Sequence, residues 1–386
     1  MLLNGVKIYG RGDDAFNIRI EAGKIAEVSE NGITVKDDTL VLTFNSALAF
    51  PGLINSHDHL DFNLFQQLGD KTYNNYVEWG EYIQQNYQEQ IAAVVNVPQH
   101  LRAQWGIYKN LLCGITTVVN HGEHLQIDNP LIMVFDNCQS LHSVANERNW
   151  KIRLNNPLKA NTPAVIHVGE GSDTGAFAEI NKLIRWTIIK RKLIGVHGVA
   201  MRPSQAGNFD ALVWCPDSNY FLLNKTARID LLKHCTNILF GTDSTLSATW
   251  NIWDHLRLAQ KTGLMDNIEL YQSLTTNPAK AWRLNTGQII PGKDADIVIA
   301  KSDPDSFFSI DPADLLLVMH RGNMRLVDEE LFNQMDTADL GAFSKIYIGD
   351  ACKYVQGDLP GLIKQIHQYY PEAKFPVQTE QYTTTQ

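Results

Sequence analysis

The sequence predicts an α/β protein in which a parallel sheet or barrel is joined to a smaller β-sheet module. The chain has 386 residues, which at roughly 150 residues per domain leaves room for two or three domains, or for one large barrel with an appendage. The middle of the chain alternates short apolar runs with helical segments, as parallel sheets and barrels do. Both ends instead show the alternating pattern of half-buried strands.

The N-terminal fifty residues contain three stretches in which apolar and polar residues alternate, separated by turns that contain Gly and Asp. They predict strands at residues 2–9, 16–20 and 24–28. A similar pattern returns at residues 287–299, with strands expected around Ile289 and Ile297. We therefore expect the two ends of the chain to build one sheet together.

Two segments in the middle have apolar residues at helical spacing on one face. The first covers residues 99–113 and ends at Gly114, which suits a helix C-terminus. The second covers residues 177–192. Both are predicted to be core-facing helices with a structural role only.

Short apolar runs predict the strands of the middle region, at residues 53–55, 115–120, 164–167, 193–197, 211–215 and 238–242. The stretch between His121 and His167 is short for the two strand–helix units that an eight-stranded barrel requires there. Residues 135–141 and 151–155 are the strand candidates in it. Further on, residues 359–369 predict a helix and residues 379–386 a frayed polar tail.

Charge and composition exclude several classes of partner. The chain has 33 basic and 42 acidic residues, a net charge of −9, and no long basic run, so nucleic acid is not an expected partner. The N-terminus lacks a signal-peptide pattern, and no run of about 18 apolar residues predicts a membrane span. The five cysteines are far apart and form no CxxC pair, which favours a reducing cytoplasm.

The sharpest local motif is a pair of histidines, His57 and His59, directly after the apolar run 53–55. Residues two apart on a strand face the same side, so the two imidazoles converge. Neutral imidazole is a common ligand for zinc and similar ions, and the pair is therefore a candidate half of a metal site. The alternative is two ordinary polar residues on a loop.

Three further apolar runs end in side chains that bind metals or move protons. His167 ends one run and is followed three residues later by Glu170, His197 ends another, and Asp243 follows a third. Taken singly, each histidine could be a structural residue, and Glu170 could be an acid at a helix N-terminus. Four strands that end in this way favour an active site, because barrel sites are assembled from the C-terminal ends of several strands.

These motifs together resemble the amidohydrolase superfamily, and within it the mononuclear subgroup of deaminases and chlorohydrolases that includes cytosine, guanine and S-adenosylhomocysteine deaminases. The resemblance covers roughly residues 1–325. Four further segments agree with it: Pro-Gly at 51–52, Cys-Pro-Asp-Ser-Asn at 215–219, Gly-Thr-Asp-Ser at 241–244, and Thr-Asn-Pro-Ala-Lys-Ala at 276–281, which leads to Pro-Gly-Lys-Asp-Ala-Asp-Ile-Val at 291–298.

The resemblance implies a fold and a division into domains. Residues 51–283 would form a TIM-type (β/α)8 barrel, and residues 1–50 and 284–325 would form a small composite β-sandwich. Residues 326–386 would be a C-terminal extension beyond the resemblance.

The resemblance also implies one divalent metal ion, zinc or alternatively iron, held by His57, His59, His167 and Asp243. His197 would lie beside the metal-bound water, Glu170 would be the proton shuttle, and Asp243 would also take the water proton. Two-metal members of the superfamily use a carboxylated lysine on the fourth strand. Lys159 lies too close to the fifth strand for that role, so one ion is expected.

Several residues are candidates for contact with a small-molecule substrate. The loops after strands two to four are shorter here than is usual in the subgroup, so this part of the site is expected to differ. For His121 the alternative is an ordinary surface or supporting role. For the aromatic loop after the histidine pair, the alternative is packing on the second subunit of a homodimer. The candidates are His121, Ser218, Asn219, Phe62 and Trp79.

The expected reaction is hydrolytic deamination of an aminated heterocycle or related amidine, with release of ammonia. Such substrates need a ring nitrogen protonated before they accept attack, and Glu170 can deliver that proton. Two other hydrolytic reactions use the same residues, namely opening of a cyclic amide, as in imidazolonepropionase, and dechlorination. A non-catalytic barrel is a remote alternative, since such a chain would be expected to have lost a ligand.

Overall fold

The computed structural model describes residues 1–335 and 341–380, and both α-helices and β-strands occur throughout. In chain order the strands are β1 (Leu2–Ile8), β2 (Ala15–Glu21), β3 (Lys24–Ser29), β4 (Val41–Pro51), β5 (Leu53–Asp58), β6 (Ile115–Asn120), β7 (Met133–Phe135), β8 (Gln139–Ser143), β9 (Ala164–Val168), β10 (Leu193–His197), β11 (Ala211–Trp214), β12 (Asn237–Phe240), β13 (Ile297–Ala300), β14 (Leu315–His320), β15 (Asn323–Asp328), β16 (Phe343–Ile348) and β17 (Ala351–Gln356).

The helices alternate with the central strands and extend to the C-terminal region. They are α1 (Tyr76–Asn86), α2 (Gln88–Val95), α3 (Gln99–Leu112), α4 (Trp150–Leu154), α5 (Thr174–Trp186), α6 (Pro203–Ala206), α7 (Pro216–Leu223), α8 (Ile229–Leu232), α9 (Ile252–Thr262), α10 (Asn267–Leu274), α11 (Thr276–Trp282) and α12 (Leu359–Tyr369). Short 3-10 helices lie at Leu60–Phe62, Pro157–Lys159, Pro304–Ser309, Pro312–Asp314 and Glu329–Gln334.

The two chain ends build one mixed sheet of nine strands, in the order β16-β17-β15-β14-β13-β4-β1-β2-β3. The pairing of β4 with β13 joins the N-terminal strands to the C-terminal ones, and Ile297 lies opposite Pro51 there. The predicted joint sheet is therefore confirmed, and it is consistent with a β-sandwich module. Its own apolar core includes Leu3, Ile18 and Ile299.

The central strands are parallel and form two sheets, β5-β6-β7 and β12-β11-β10-β9-β8. The two sheets meet at the ends of β5 and β12, where the backbone amides of Thr242 and Asp243 donate to the carbonyl oxygen of His57 at 3.1 and 3.0 Å. The predicted α/β class with a parallel sheet is confirmed. This junction also brings the segment after β12 next to the histidine pair.

Six predicted strands of the middle region correspond to β5, β6, β9, β10, β11 and β12. The candidate at 151–155 is wrong, because this segment belongs to α4: Trp150 and Leu154 are both buried and stand four positions apart, which is helical spacing. The candidate at 135–141 covers the last residue of β7, a turn, and the first residues of β8.

Only part of the β pattern at residues 287–299 forms a strand. The prediction around Ile297 is confirmed by β13, but the segment around Ile289 lies outside the strands although Ile289 is buried. Pro291 has no backbone N–H to pair, and Gly287 and Gly292 adopt positive φ of 83° and 88°, so the chain turns here instead of extending.

The helix predicted at 99–113 is confirmed by α3, and the one at 359–369 by α12. The helix predicted at 177–192 is shifted toward the N-terminus, as α5. It starts after Asp173, whose side chain accepts from the amide of Ala176, and it ends at Trp186 because the amides of Ile188 and Ile189 bond to Asn155 Oδ1 instead.

Past residue 325 the chain continues the terminal sheet, because β17 pairs with β15 and β16 pairs with β17. The division at residues 50, 283 and 325 stays a prediction. Most of the predicted polar tail, residues 381–386, lies outside the described residues. Among the helices of residues 1–335 and 341–380, none is both long and apolar enough to cross a membrane.

Truncation after residue 285 is expected to give aggregated protein. The truncation removes β13 and so leaves the hydrogen-bonding edge of β4 unpaired, although Leu48, Ala49 and Phe50 of that strand are fully buried in the intact chain. The soluble fraction and the size-exclusion profile, compared with the full chain, measure the effect. Soluble, monodisperse truncated protein that binds metal would show instead that the module is dispensable.

Candidate metal centre and active site

The chemically competent side chains lie at or just past the C-terminal ends of the parallel strands, where parallel-barrel enzymes assemble their sites. His57 is in β5, His167 is in β9 and His197 ends β10, while Asp243 follows β12. His197 and Asp243 adopt positive φ of 69° and 58°. Non-glycine residues rarely adopt this backbone conformation, and it clusters at functional sites.

The structure brings five of these side chains into one cluster. One ligand atom from each of His57, His59 and Asp243 lies within 4.8 Å of the others, and the same holds for His57, His167 and His197. His57 Nε2 is 3.1 Å from His167 Nε2 and 3.7 Å from Asp243 Oδ1. His57 belongs to both groups and is therefore at the centre of the cluster.

Hydrogen bonds orient the ligand atoms toward one another. His167 Nδ1 lies 2.9 Å from the carbonyl oxygen of His142, which leaves Nε2 free to face His57. Asp243 Oδ2 accepts from the hydroxyls of Ser218 at 2.8 Å and Ser247 at 3.0 Å, so Oδ1 is the oxygen that lies near His57 and His59. Such partners fix the orientation of metal ligands in known sites.

Burial favours the neutral form of His57, His167 and His197, and neutral imidazole is the form that binds a metal ion. It lowers the pKa of His57 and of His167 well below the usual value, and neighbouring histidines lower both further. Burial also lowers the pKa of His197, to about 4. For Asp243 burial alone would raise the pKa, but His59, His197 and the hydrogen bond from Ser218 bring it below the ordinary value.

Glu170 lies at the edge of the cluster and is almost completely buried. Its Oε2 atom is 3.5 Å from His197 Nε2. Burial raises the pKa of this carboxyl well above its ordinary value, and the carboxylates of Asp243 and Glu179 raise it further. A carboxyl of this kind holds a proton more readily than an exposed one and can pass it on.

Ser218 and Asn219 contact cluster residues directly. Ser218 bonds to Asp243, and Asn219 Nδ2 lies 2.9 Å from His197 Nδ1. Both side chains are fully buried in the first turns of α7. The structure thus places them as supports of two cluster residues, while contact with a substrate stays a prediction.

The aromatic candidates divide into one near the cluster and one away from it. The ring of Phe62 stacks on that of His59, with 5.6 Å between the centroids and 17° between the planes. Trp79 of α1 instead donates from Nε1 to the carbonyl oxygen of Leu68 at 2.7 Å and packs against the hydrophobic core. Among the described contacts of Trp79, none reaches the cluster.

His121 is buried against the five-residue cluster. Its ring centroid is 4.2 Å from that of His167 and 5.0 Å from that of His57. Neither ring nitrogen has a hydrogen-bond partner among the described residues. His124, three residues further on, is exposed, and its Nδ1 atom lies 3.1 Å from Asp136 Oδ2 instead.

Sequence reasoning missed a buried polar group behind the histidine pair. Lys109 of α3 is completely buried and its Nζ atom lies 3.0 Å from Asp58 Oδ2. Its position was a usable signal, because Lys109 follows Trp105 by four residues and therefore lies on the apolar face of the predicted helix. The role of the His142 carbonyl had no such signal, since a backbone atom carries no sequence pattern.

Comparison with known proteins agrees with this geometry. Residues 156–325 match the amidohydrolase family. A curated relative, the 5-methylthioadenosine/S-adenosylhomocysteine deaminase of Pyrococcus furiosus, is 24% identical over 401 aligned positions, which cover 83% of this chain and 91% of the relative.

Two solved structures are similar over almost their whole length. A zinc-bound adenosine deaminase from Xanthomonas campestris has a TM-score of 0.70 at 17% identity, and the match covers 96% of this chain and 98% of that one. The zinc complex of atrazine chlorohydrolase from Arthrobacter aurescens has a TM-score of 0.67 at 15% identity, with 96% and 100% coverage. At this level of identity the likeness establishes the fold.

The family match, the fold and the order of the motifs therefore agree with one another. Residues 156–325 form an amidohydrolase-family segment, and the chain that carries it is an enzyme.

Proposed function

We propose that this enzyme hydrolyses a carbon–nitrogen bond by deaminating an aminated heterocycle or related amidine, with release of ammonia. The proposed scaffold is a (β/α)8 barrel whose strands are β5 to β12. The observation that carries the proposal is the buried Glu170 carboxyl beside His197, at the edge of a histidine–aspartate cluster. Attack on a ring carbon needs this arrangement, because the neighbouring ring nitrogen must first receive a proton.

The donor set fits one divalent metal ion. His57, His59, His167 and Asp243 are the proposed ligands, and imidazole nitrogens with a carboxylate oxygen are the usual ligands of catalytic zinc, with iron as the alternative. The hydrogen bond of His167 Nδ1 to a backbone carbonyl leaves Nε2 as the ligand atom. The relatives with bound zinc support zinc as the first choice.

A single ion is proposed because the residue that could bridge two is missing. The fourth of the parallel strands, β8, has the sequence Gln-Ser-Leu-His-Ser and carries no lysine. Lys159 is exposed in the 3-10 helix Pro157–Lys159, before β9. A bridging carboxylated lysine therefore has no candidate on this strand.

The chain's own residues divide the work of proton transfer. When bound, a divalent ion supplies Lewis-acid activation of a water molecule. Asp243 can take the water proton because hydrogen bonds hold its carboxylate in place, from Ser218 and Ser247 to Oδ2 and from the amide of Ser244 to Oδ1. Glu170 gives its proton to the ring nitrogen, takes the proton of the hydroxyl on the tetrahedral carbon, and passes that proton to the amino group, which leaves as ammonia. The proton held by Asp243 then returns to Glu170 and restores the starting state. His197, which is held by Asn219, lies where it can stabilise the developing tetrahedral centre.

His121 is the proposed contact for the substrate's polar edge. Leaving a buried polar atom without a hydrogen bond typically costs about 1–3 kcal/mol, so a buried ring with two free nitrogens points to a ligand as its missing partner. Phe62, which stacks on His59, would bound the same space with an apolar surface. Ser218 and Asn219 would act on the substrate chiefly through Asp243 and His197.

Dechlorination is the second candidate reaction, because the atrazine chlorohydrolase structure covers the chain as completely as the adenosine deaminase structure does. It would use the same metal ligands and release chloride instead of ammonia. Opening of a cyclic amide, as in imidazolonepropionase, is a third reaction that the same residues could support.

The test is a product screen with the metal-loaded enzyme. Aminated purines, pyrimidines, triazines and pterins, chlorinated triazines and cyclic amides are assayed for ammonia, chloride and ring opening respectively. We expect ammonia release from at least one aminated heterocycle. Chloride release or ring opening without any deamination would replace the proposal by the corresponding alternative.

One divalent ion per chain is expected in the purified protein, and elemental analysis against protein concentration measures it. The expectation follows from two three-residue groups of ligand atoms that share His57 and so converge on one place, and from a fourth strand without lysine. Two tightly held ions per chain, or none after supplementation with zinc or iron, would contradict the mononuclear site.

The wider setting of the enzyme also stays a prediction. We propose a cytoplasmic location, because the five cysteines are all free thiols in the structure. A homodimer, and the absence of nucleic-acid and membrane partners, remain expectations from the sequence.

A further inference from the structure

A buried lysine–aspartate pair lies directly behind the two segments that carry proposed metal ligands. Lys109 of α3 and Asp58 of β5 are both completely buried, with 3.0 Å between Nζ and Oδ2. Asp58 stands between His57 and His59 in the chain. Removing two charges from water costs free energy unless further hydrogen bonds satisfy both groups. The role of the pair therefore depends on which other residues form hydrogen bonds with it.

Three asparagine side chains complete the hydrogen bonding of Asp58. Asn110 and Asn55 donate to Oδ2 at 2.7 and 3.3 Å, and Asn63 donates to Oδ1 at 2.8 Å. Asn110 comes from α3, Asn55 from β5 and Asn63 from the turn after the histidine pair. The carboxylate of Asp58 therefore fixes the backbone on both sides of His57 and His59.

The same group of side chains reaches the segment that carries Asp243. Lys109 Nζ and Asn55 Nδ2 donate to Thr242 Oγ1 at 3.2 and 2.8 Å. Thr242 in turn donates from Oγ1 to the carbonyl oxygen of Asp243 at 2.9 Å, and its amide donates to Asn55 Oδ1 at 3.1 Å. Lys109 thus links the two segments that carry proposed metal ligands, one at the end of β5 and one after β12.

The packing of α3 makes this link short and rigid. Gly106 lies against Leu60, so closely that an added Cβ would be 2.2 Å from the Leu60 carbonyl oxygen. One turn of helix further on, Lys109 is thereby brought to Asp58. On the other side of Gly106, Arg102 donates to the carbonyl oxygen of Asp61 at 2.7 Å.

A second buried pair shows that burial alone does not define the role. Lys353 of β17 is also completely buried, contacts Asp328, and donates to the carbonyl oxygens of Ala313 and Leu315 at 2.6 and 2.7 Å. That pair lies in the terminal sheet and its partners carry no proposed metal ligand. The Lys353–Asp328 pair therefore has the same charged groups and the same burial as the Lys109–Asp58 pair, but it lies away from the proposed metal ligands.

We propose that Lys109 and Asp58 are positioning residues of the metal centre, which hold the His57–His59 segment and the Asp243 segment at the separation that retains the ion. The inference depends on the proposed function only for the presence of a metal ion, and not for the identity of the substrate.

The test compares Lys109→Met with Lys353→Met, because each change removes the ammonium of a fully buried Lys–Asp pair while keeping an apolar chain. Each metal-loaded protein is mixed with a chelating indicator well below its melting temperature, and the rate of metal release is followed. We expect release from Lys109→Met to be about 10- to 100-fold faster than from wild type, as for loss of a partner that orients ligands. Lys353→Met should release metal at the wild-type rate.

An unchanged release rate in folded Lys109→Met would overturn the proposal, and so would equal acceleration in both variants, since that would show a general loss of stability. If Lys109→Met does not fold, Thr242→Val replaces it, because it removes only the hydroxyl that joins Lys109 to the Asp243 segment. Thr242→Val should also release metal faster, and Thr242→Ser, which keeps the hydroxyl, should restore the slow rate. Equal rates of metal release from Thr242→Val and Thr242→Ser would overturn the proposal as well.

These outcomes separate the inference from the proposed function. Faster metal release in an enzyme that deaminates no compound would leave the inference standing and remove the deaminase proposal. If the wild-type enzyme deaminates a substrate and the Lys109→Met variant releases its metal at the wild-type rate, the deaminase proposal stands and the inference about Lys109 falls. A wild-type chain that binds no divalent ion would contradict both.

Discussion

Glu170→Gln is expected to lower kcat on the best substrate by about 10²- to 10⁴-fold, while the metal content stays at the wild-type level. Glutamine keeps the volume and hydrogen-bonding shape of the side chain but cannot transfer a proton. Metal retention is expected because Glu170 is outside the proposed ligand set and instead lies beside His197. Steady-state kinetics and elemental analysis on the same preparation measure both quantities.

Glu81→Gln is the matched control, since it makes the same exchange at an exposed position of α1 and should change neither quantity. Substrate binding should survive in Glu170→Gln, so KM is expected to change much less than kcat. His197→Asn should lower kcat similarly and can also loosen the metal, because His197 belongs to the cluster itself. Nearly full activity of Glu170→Gln would replace deamination by a hydrolysis that needs no ring protonation.

The parts of the site that the sequence predicted are those that a strand end fixes locally. His57, His167 and His197 each lie at the end of an apolar run, and a parallel sheet brings such ends to one edge. For these residues, the position at the end of a strand, which the sequence shows, also determines where the side chain lies in the folded chain. The approach of His57 to His167, 110 positions apart in the chain, could be expected for this reason.

The parts that could not be predicted depend on how elements pack against one another. The position of Lys109 on the apolar face of the predicted helix indicates that it is buried, but only the close approach of α3 to Leu60 determines that its partner is Asp58. The strands β7 and β8 are three and five residues long, too short for periodicity to distinguish them from a turn or a short helix. The strand predicted around Ile289 is wrong because the side chain of Ile289 is buried by packing within a turn, without strand pairing.

The residue proposed to contact the substrate also depends on packing that the sequence does not show. The sequence leaves a substrate contact, a surface position and a supporting role all open for His121, because its position after β6 says nothing about which neighbours its ring contacts. In the structure the ring is buried beside His167 with both nitrogens free among the described residues. That observation comes from tertiary packing, and it is the basis of the proposed substrate contact.

His57→Ala is expected to abolish both metal binding and activity. His57 has the shortest contact within the cluster, at 3.1 Å from His167 Nε2, and it is the residue that both candidate ligand groups share. Its removal would leave His59, His167 and Asp243 as a three-ligand remnant. Mutation of a residue that only orients a metal ligand typically lowers metal affinity by about 10- to 100-fold. Loss of a ligand itself should lower metal affinity by more than that.

The imidazole of His57 is completely buried, so its loss also leaves a cavity that could destabilise the fold by itself. His320→Ala is the control, because His320 is likewise buried but lies in β14 of the terminal sheet, bonded to Asp296 at 2.8 Å. We expect comparable losses of melting temperature in the two variants, with metal and turnover retained only in His320→Ala. A His57→Ala protein that kept one ion per chain and normal turnover would remove the histidine pair from the metal site, because no other change in that variant could compensate for a missing ligand.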